Sequence, residues 1–203
     1  MNIYLDDDLR AVATQTAEYV EREIVPKADA WEADGRVPRE VLRQMGEIGF
    51  LGLRAPDEYG GIGLGALASV VFSEQLGRST FGGFAITVLA HTDLAMPYLT
   101  KFGSDELKER FLPAMVAGEQ IAGIAVTEPD AGSDVAAIRA TARRDGDGFV
   151  INGTKMFITN GAAGDLVLVA AKTNPDVKGS RGVSMFVVER GTDGFAVGRA
   201  LNK

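Results

Sequence analysis

Up to Ala117 the apolar positions recur at helical spacing. Leu9, Val12, Thr16, Tyr19, Val20 and Ile24 fall on one face of a 3.6-residue period. Asp6 to Asp8 place negative charge where a helix N-terminus favours it. Pro26 is expected to end or bend this helix. Val41, Leu42, Met45 and Ile48 continue a helical face up to Gly49, with Pro38 suited to the first helical position. Residues 54–65 read as a Gly-rich loop around Asp57-Glu58-Tyr59-Gly60-Gly61. Residues 66–77 and about 84–102 read as further helices, the second apolar on most faces and therefore expected to be buried. Gly103 suits the position after a helix, and Ser104 suits the N-cap of the next, running to about Ala117.

After Gly118 the pattern changes to that of strands. Residues 121–127 form a short apolar run, residues 149–159 are rich in strand formers, and residues 166–171 and 183–188 are strand-like. Between them lie strong turn signals: Asp145-Gly146-Asp147-Gly148, Asn152-Gly153 and Asn160-Gly161. Neither an internal repeat nor a low-complexity tract is visible. The expected class is α+β: an all-α N-terminal domain over residues 1–119, then an antiparallel, barrel-like β-domain over residues 120–203.

Composition narrows the chemistry. The 203 residues are 46% apolar and 24% charged, which allows a sizeable core. With 21 Lys and Arg against 28 Asp and Glu, the formal charge is −7. An acidic chain has no general field for nucleic-acid backbones or anionic membranes, so neither is expected as a partner, and any anionic ligand needs local donors. The absence of cysteine excludes disulfides, thiolate metal sites and cysteine nucleophiles, and a single histidine, His91, excludes mechanisms that need two. The N-terminus has no basic region leading into an apolar segment, and no apolar run approaches about 18 residues, so a soluble, cytoplasmic protein is expected.

The most informative stretch is Ile124-Ala125-Val126-Thr127-Glu128-Pro129-Asp130-Ala131-Gly132-Ser133-Asp134. It reads as a strand entering a turn. Gly132 lets backbone approach a ligand, Thr127 and Ser133 offer hydroxyls, and exposed amides of such a turn can form an anion-binding nest. Taken on residues alone, an ordinary polar β-turn is the commoner outcome. Phe157 and Ile158, alternating in a strand, read as core when taken on residues alone.

Residues 124–134, followed by Ile151-Asn152-Gly153-Thr154-Lys155-Met156-Phe157-Ile158-Thr159-Asn160-Gly161, resemble the acyl-CoA dehydrogenase family. The segment Pro56-Asp57-Glu58-Tyr59-Gly60-Gly61-Ile62-Gly63-Leu64-Gly65 fits too, and the resemblance covers essentially the whole chain. It implies an N-terminal helical domain, a middle β-domain and a C-terminal helical bundle. FAD would lie between the last two, partly contributed by a neighbouring subunit of a homo-oligomer, such as a homotetramer. The implied reaction, of fatty-acid β-oxidation type, is FAD-dependent α,β-dehydrogenation of an acyl-CoA thioester to a trans-2-enoyl-CoA. A glutamate takes the α-proton, the β-hydride goes to the flavin, and an electron-transferring flavoprotein receives the electrons.

Carried over by position, Val126 and Thr127 bond the flavin edge. Gly132 and Ser133 contact the pyrophosphate, and Ser133 also lies near the acyl thioester. Phe157, at a position often tryptophan, packs on the ring. Ile158 follows it, and the Thr159 hydroxyl lies toward the hydride-accepting end. The resemblance places the base in the bundle, beyond Lys203, so no catalytic residue is assigned here and the middle domain is expected to be incomplete. Alternatives are an accessory subunit lending half a flavin site without activity of its own, and a related flavin oxidase or monooxygenase.

Other features carry plainer expectations. His91 reads as a satisfied or partly exposed helix histidine. Gly61 to Gly65 lack the strand and βαβ context of a dinucleotide fingerprint. Asp6 to Asp8 read as a solvated helix start, so no metal site is expected. Glu128 and Asp134 are expected to orient the turn, Arg143, Arg144 and Asp145 to form a charged hairpin rim, and Lys155 to be a solvated strand residue.

Overall fold

The computed structural model describes residues 5–177 and 179–199. They divide into two units, the chain passing from one to the other between Ile121 and Ala122. Among the described residues no helix is long and apolar enough to cross a membrane.

The first unit is helical: α1 (Asp7–Tyr19), α2 (Ala28–Asp34), α3 (Arg39–Glu47), α4 (Ala66–Gly77), α5 (Gly82–Leu89), α6 (Met96–Phe102) and α7 (Asp105–Val116). The face read from the α1 sequence is buried from Leu9 through Ile24. Asp6 caps α1, its carboxylate accepting the Leu9 N–H at 2.9 Å, and Asp7 pairs with Arg10 in solvent. These inward faces enclose a core built on Met45, Phe50, Phe72, Leu76 and Phe84, with the Phe50 ring 5.7 Å from Tyr19 and 5.6 Å from Phe72.

Proline acts differently from expectation. The chain does not stop at Pro26. It widens into a π-helical turn at Val20–Ile24, tightens at Val25–Lys27 and resumes as α2. The segment expected as one helix over about 84–102 is likewise α5, a π-helical turn at Ala90–Ala95, and α6, with Pro97 just beyond the turn. The carbonyls that each proline amide would have met, those of Arg22 and Asp93, lie inside the widened turns. Nor is that long segment buried on most faces: Phe84, Val88, Met96 and Leu99 turn inward, whereas Ile86, Leu94, Tyr98 and Phe102 are exposed. Ile48 is also exposed, and Pro38 sits at the N-cap of α3 rather than inside it.

Ser104 caps α7 as read, accepting the Leu107 N–H at 3.3 Å. Gly103 is needed for another reason than a left-handed turn. Its φ is −66°, open to any residue, but a Cβ there would stand 2.5 Å from the Leu99 carbonyl oxygen.

The second unit is one five-stranded sheet of β1 (Ala122–Ala125), β2 (Thr141–Asp145), β3 (Gly148–Asn152), β4 (Leu166–Lys172) and β5 (Val183–Glu189). Strand β4 is central. Antiparallel β5 pairs along its whole length, while β1 and then the first residue of β2 pair with it in parallel. A tight hairpin joins β2 to β3, with Gly146 at φ +59° and Arg143 and Arg144 on its exposed rim. Where the sequence pattern predicts an antiparallel, barrel-like sheet, the sheet is therefore mixed and open. The reason lies in β4, whose first six residues are all buried; a continuous apolar run is the mark of a strand covered on both faces, the usual setting of parallel pairing.

Replacing Gly103 with alanine should destabilise the helical unit by about 1–3 kcal/mol, the cost of forcing a methyl into occupied space. Thermal unfolding of the variant checks this; an unchanged melting temperature would rule out the steric account.

Candidate functional site

Strand β1 ends at Ala125, and the chain turns sharply three residues later. The Glu128 N–H donates to the Ala131 carbonyl at 2.7 Å and the Ala131 N–H donates back to Glu128 at 3.3 Å, closing a turn over Pro129 and Asp130. Gly132 and Ser133 follow, both exposed. Gly132 lies against Thr127: a Cβ on it would be 3.8 Å from the threonine methyl.

The second motif is not a strand. Strand β3 stops at Asn152, and the chain then runs back past β1. Met156 N–H donates to the Thr127 carbonyl at 2.9 Å, and Asn160 Nδ2 donates to the Ala122 carbonyl at 3.0 Å. Between these anchors the Thr159 carbonyl backs onto Gly123, where a Cβ would come within 2.5 Å of it. The fold thus brings the two motifs side by side.

Regular pairing fails because Phe157 and Asn160 take left-handed backbone conformations, φ +58° and +63°. Asparagine tolerates this; phenylalanine does so at a cost of about 1–3 kcal/mol and only where its neighbours impose it. The result is that Phe157 is 67% exposed while its neighbour Ile158 packs inward with Ala125, Val167 and Val169.

The tie between the motifs is ionic. Glu128 is only 7% exposed, and Lys155 Nζ donates to its Oε1 at 2.8 Å and to the Val126 carbonyl at 2.9 Å. The other donors to the carboxylate are backbone N–H groups, Ala140 on Oε1 at 2.9 Å and Arg139 on Oε2. Burial pushes the Glu128 carboxyl up, but the Lys155 hydrogen bond and the two amides outweigh it, leaving the pKa below the ordinary 4.5. The expectation of a solvated Lys155 is therefore corrected: its side chain is 11% exposed. Glu128 does orient the turn.

The anticipated contact residues divide into three groups. Thr127, Gly132, Phe157 and Thr159 converge around β1. Among the described residues no hydrogen bond engages the hydroxyls of Thr127, Ser133 or Thr159. Val126 and Ile158 turn their side chains into the core, Val126 against Ala131, Ile138 and Ala170, which leaves them only backbone to offer. Ser133 is carried outward beyond the turn.

Sequence reasoning missed Lys155, Asn160 and Arg190. The Arg190 guanidinium donates to the carbonyls of Gly164, Ala162 and Gly161 at 2.7, 2.8 and 3.2 Å, fixing the loop after the second motif. For Lys155 a partial signal existed: one cation in an otherwise uncharged motif, with three carboxylates, Glu128, Asp130 and Asp134, in the other. His91 is buried, with Nε2 3.0 Å from the Met115 carbonyl oxygen. No group of three metal-ligating side chains occurs among the described residues.

Two outcomes follow from this geometry. Glu128→Gln strands the Lys155 charge and should cost about 3–5 kcal/mol of stability. Because the folded pKa of Glu128 lies below the unfolded one, its contribution is full above about pH 4.5 and is lost as pH falls through the lower folded value. Acid unfolding of the Gln variant should lack that limb. Phe157→Gly, by relieving the left-handed strain at an exposed position, should raise thermal stability by about 1 kcal/mol; a drop would mean the ring packs on protein.

The model of the acyl-CoA dehydrogenase N-terminal domain matches residues 6–119, and that of the middle domain matches residues 123–203. The long-chain specific acyl-CoA dehydrogenase of Mus musculus mitochondria is 41% identical over 187 residues, covering 92% of this chain and 43% of that protein. The crystal structure of an acyl-CoA dehydrogenase from Geobacillus kaustophilus superposes with a TM-score of 0.94 at 41% identity, covering 100% of this chain and 53% of that one. An FAD complex of PigA superposes with a TM-score of 0.92 at 34% identity, covering 100% and 53%. The chain spans about half the length of the relatives it matches, and along both of its units it belongs to the acyl-CoA dehydrogenase family.

Proposed function

We propose that the protein is an FAD-dependent acyl-CoA dehydrogenase, with the paired motifs of the second unit forming the flavin-facing surface. The observation that carries this reading is Phe157: an aromatic side chain held outward in a strained conformation, in a motif beside hydroxyls that no hydrogen bond engages among the described residues. An exposed ring offers the flat apolar cover that an isoalloxazine needs, and directed donors at its edge stabilise charge that develops there on reduction. Thr127 and Thr159 supply such donors. The exposed Gly132 and Ser133 suit an anionic pyrophosphate, which an acidic chain must hold through local groups.

In this reading bound FAD supplies the hydride acceptor for oxidising the Cα–Cβ bond of an acyl-CoA thioester to the trans-2-enoyl product. Phe157 covers and orients the ring face, Thr127 and Thr159 fix its edge, and the Gly132–Ser133 backbone seats the diphosphate. No residue described here is assigned to α-proton removal; the resemblance places that glutamate in a C-terminal bundle. Transfer of electrons to an electron-transferring flavoprotein, assembly as a homo-oligomer and a cytoplasmic location belong to the same proposal and rest on family membership and on the acidic, cysteine-free composition.

Protein expressed from its complete gene should retain FAD through purification and lose its visible flavin absorbance anaerobically when a saturated acyl-CoA is added. Phe157→Ala should weaken FAD binding about tenfold, the about 1.4 kcal/mol within reach of one lost aromatic contact. Protein that neither retains FAD nor bleaches with any acyl-CoA would overturn the reading.

A further inference from the structure

The ion pair sits at the junction of the two segments that carry the proposed flavin contacts, yet both side chains are almost entirely buried. Its placement is specific. Lys155 lies two residues before Phe157, and its ammonium reaches across to the Val126 carbonyl, one residue before Thr127. The next residue, Met156, is bonded to Thr127 itself, and Asn160 is pinned to Ala122. Phe157 thus hangs between fixed points on either side, and an outward-facing phenylalanine with positive φ persists only where its surroundings over-determine it. A Lys155 side chain that let go would leave the near side of this span held by the Met156 amide bond without the side-chain tie, and the less constrained backbone at Phe157 could relax toward an ordinary extended conformation, turning the ring away.

We propose that Glu128 and Lys155 are positioning residues that act through Phe157: by locking the Lys155 backbone against β1 they hold the Phe157 ring in the orientation in which it covers the flavin. The inference rests on the flavin reading above and adds to it a cause for the ring's orientation. The pair touches neither cofactor nor substrate. Its carboxylate also holds the amides of Arg139 and Ala140, so the lysine end is the one that can be altered without loosening the entry to β2.

The test uses protein from the complete gene and compares four forms: the parent, the charge-free pair Glu128→Gln with Lys155→Met, Phe157→Ala, and all three changes combined. Glutamine keeps an acceptor for one of the two amides, and no lone charge remains buried, so the double variant should melt well above Glu128→Gln alone. Its FAD affinity should nonetheless fall toward the roughly tenfold loss of Phe157→Ala, with an altered visible circular dichroism of the bound flavin. Because the pair acts through the ring, the pair changes should add no further loss once Phe157 is alanine. Lys155→Arg, which keeps a cation beside Glu128, should recover most of the affinity.

Parent affinity and dichroism in the double variant would overturn the proposal, as would losses that multiply independently of Phe157. If the double variant does not fold, the same cycle with Lys155→Gln, which keeps a single donor group, is judged by the same criteria. A parent protein that binds no FAD would overturn the functional reading, and this inference with it. A parent that binds FAD with a silent ion pair would overturn the inference alone.

Discussion

A carboxylate and an ammonium removed from water together are stable only if every remaining lone pair and proton finds a partner. Glu128 and Lys155 come close to that condition. Two backbone amides complete the carboxylate, and the Val126 carbonyl takes a second bond from the ammonium. The second unit is organised outward from this point. Ala140, whose amide binds Glu128, passes its carbonyl to the Lys172 N–H at 2.8 Å, so one side chain connects the exit of β1, the approach to β2 and the end of β4. The turn at Glu128–Ala131 and the return segment through Phe157 then have one fixed relation to the sheet.

The helical unit was largely legible because its information is local. The apolar period of α1, the caps at Asp6 and Ser104 and the inward residues of α3 could be read directly, since each depends on residues a few positions apart. What could not be read was the widening of the helix around Arg22 and Asp93. Sequence marks a proline but not whether the chain will break or expand around it. In the second unit the strands were visible but their directions were not. Leu166 to Ala171 identified a buried strand, and only long-range pairing decided that β1 would run parallel to it.

The site was legible as a set of positions rather than as an arrangement. The motifs named Thr127, Gly132, Phe157 and Thr159, and the fold gathers them. Alternation along residues 149–159 predicted a strand, which would have sent Phe157 and Ile158 to opposite faces. They do separate, Ile158 into the core and Phe157 into solvent, but through a left-handed residue rather than through a pleat. A positive φ at phenylalanine has no local signature, because its cause is tertiary: the lysine, amide and asparagine anchors across the strand. For the same reason Lys155 looked like an ordinary surface cation until its partner came into view.

The segment that crosses Gly123 has a further effect on β1. Strand β1 is short and one of its edges would otherwise present unpaired amides and carbonyls, the kind of template on which a foreign strand can grow. Asn160 bonds the Ala122 carbonyl and Met156 bonds Thr127 just beyond β1, and the irregular backbone between them offers no repeating ladder of its own for another chain to extend. The same irregularity that turns Phe157 outward therefore leaves no regular ladder of its own beside β1, without a further strand and without a charged residue on β1.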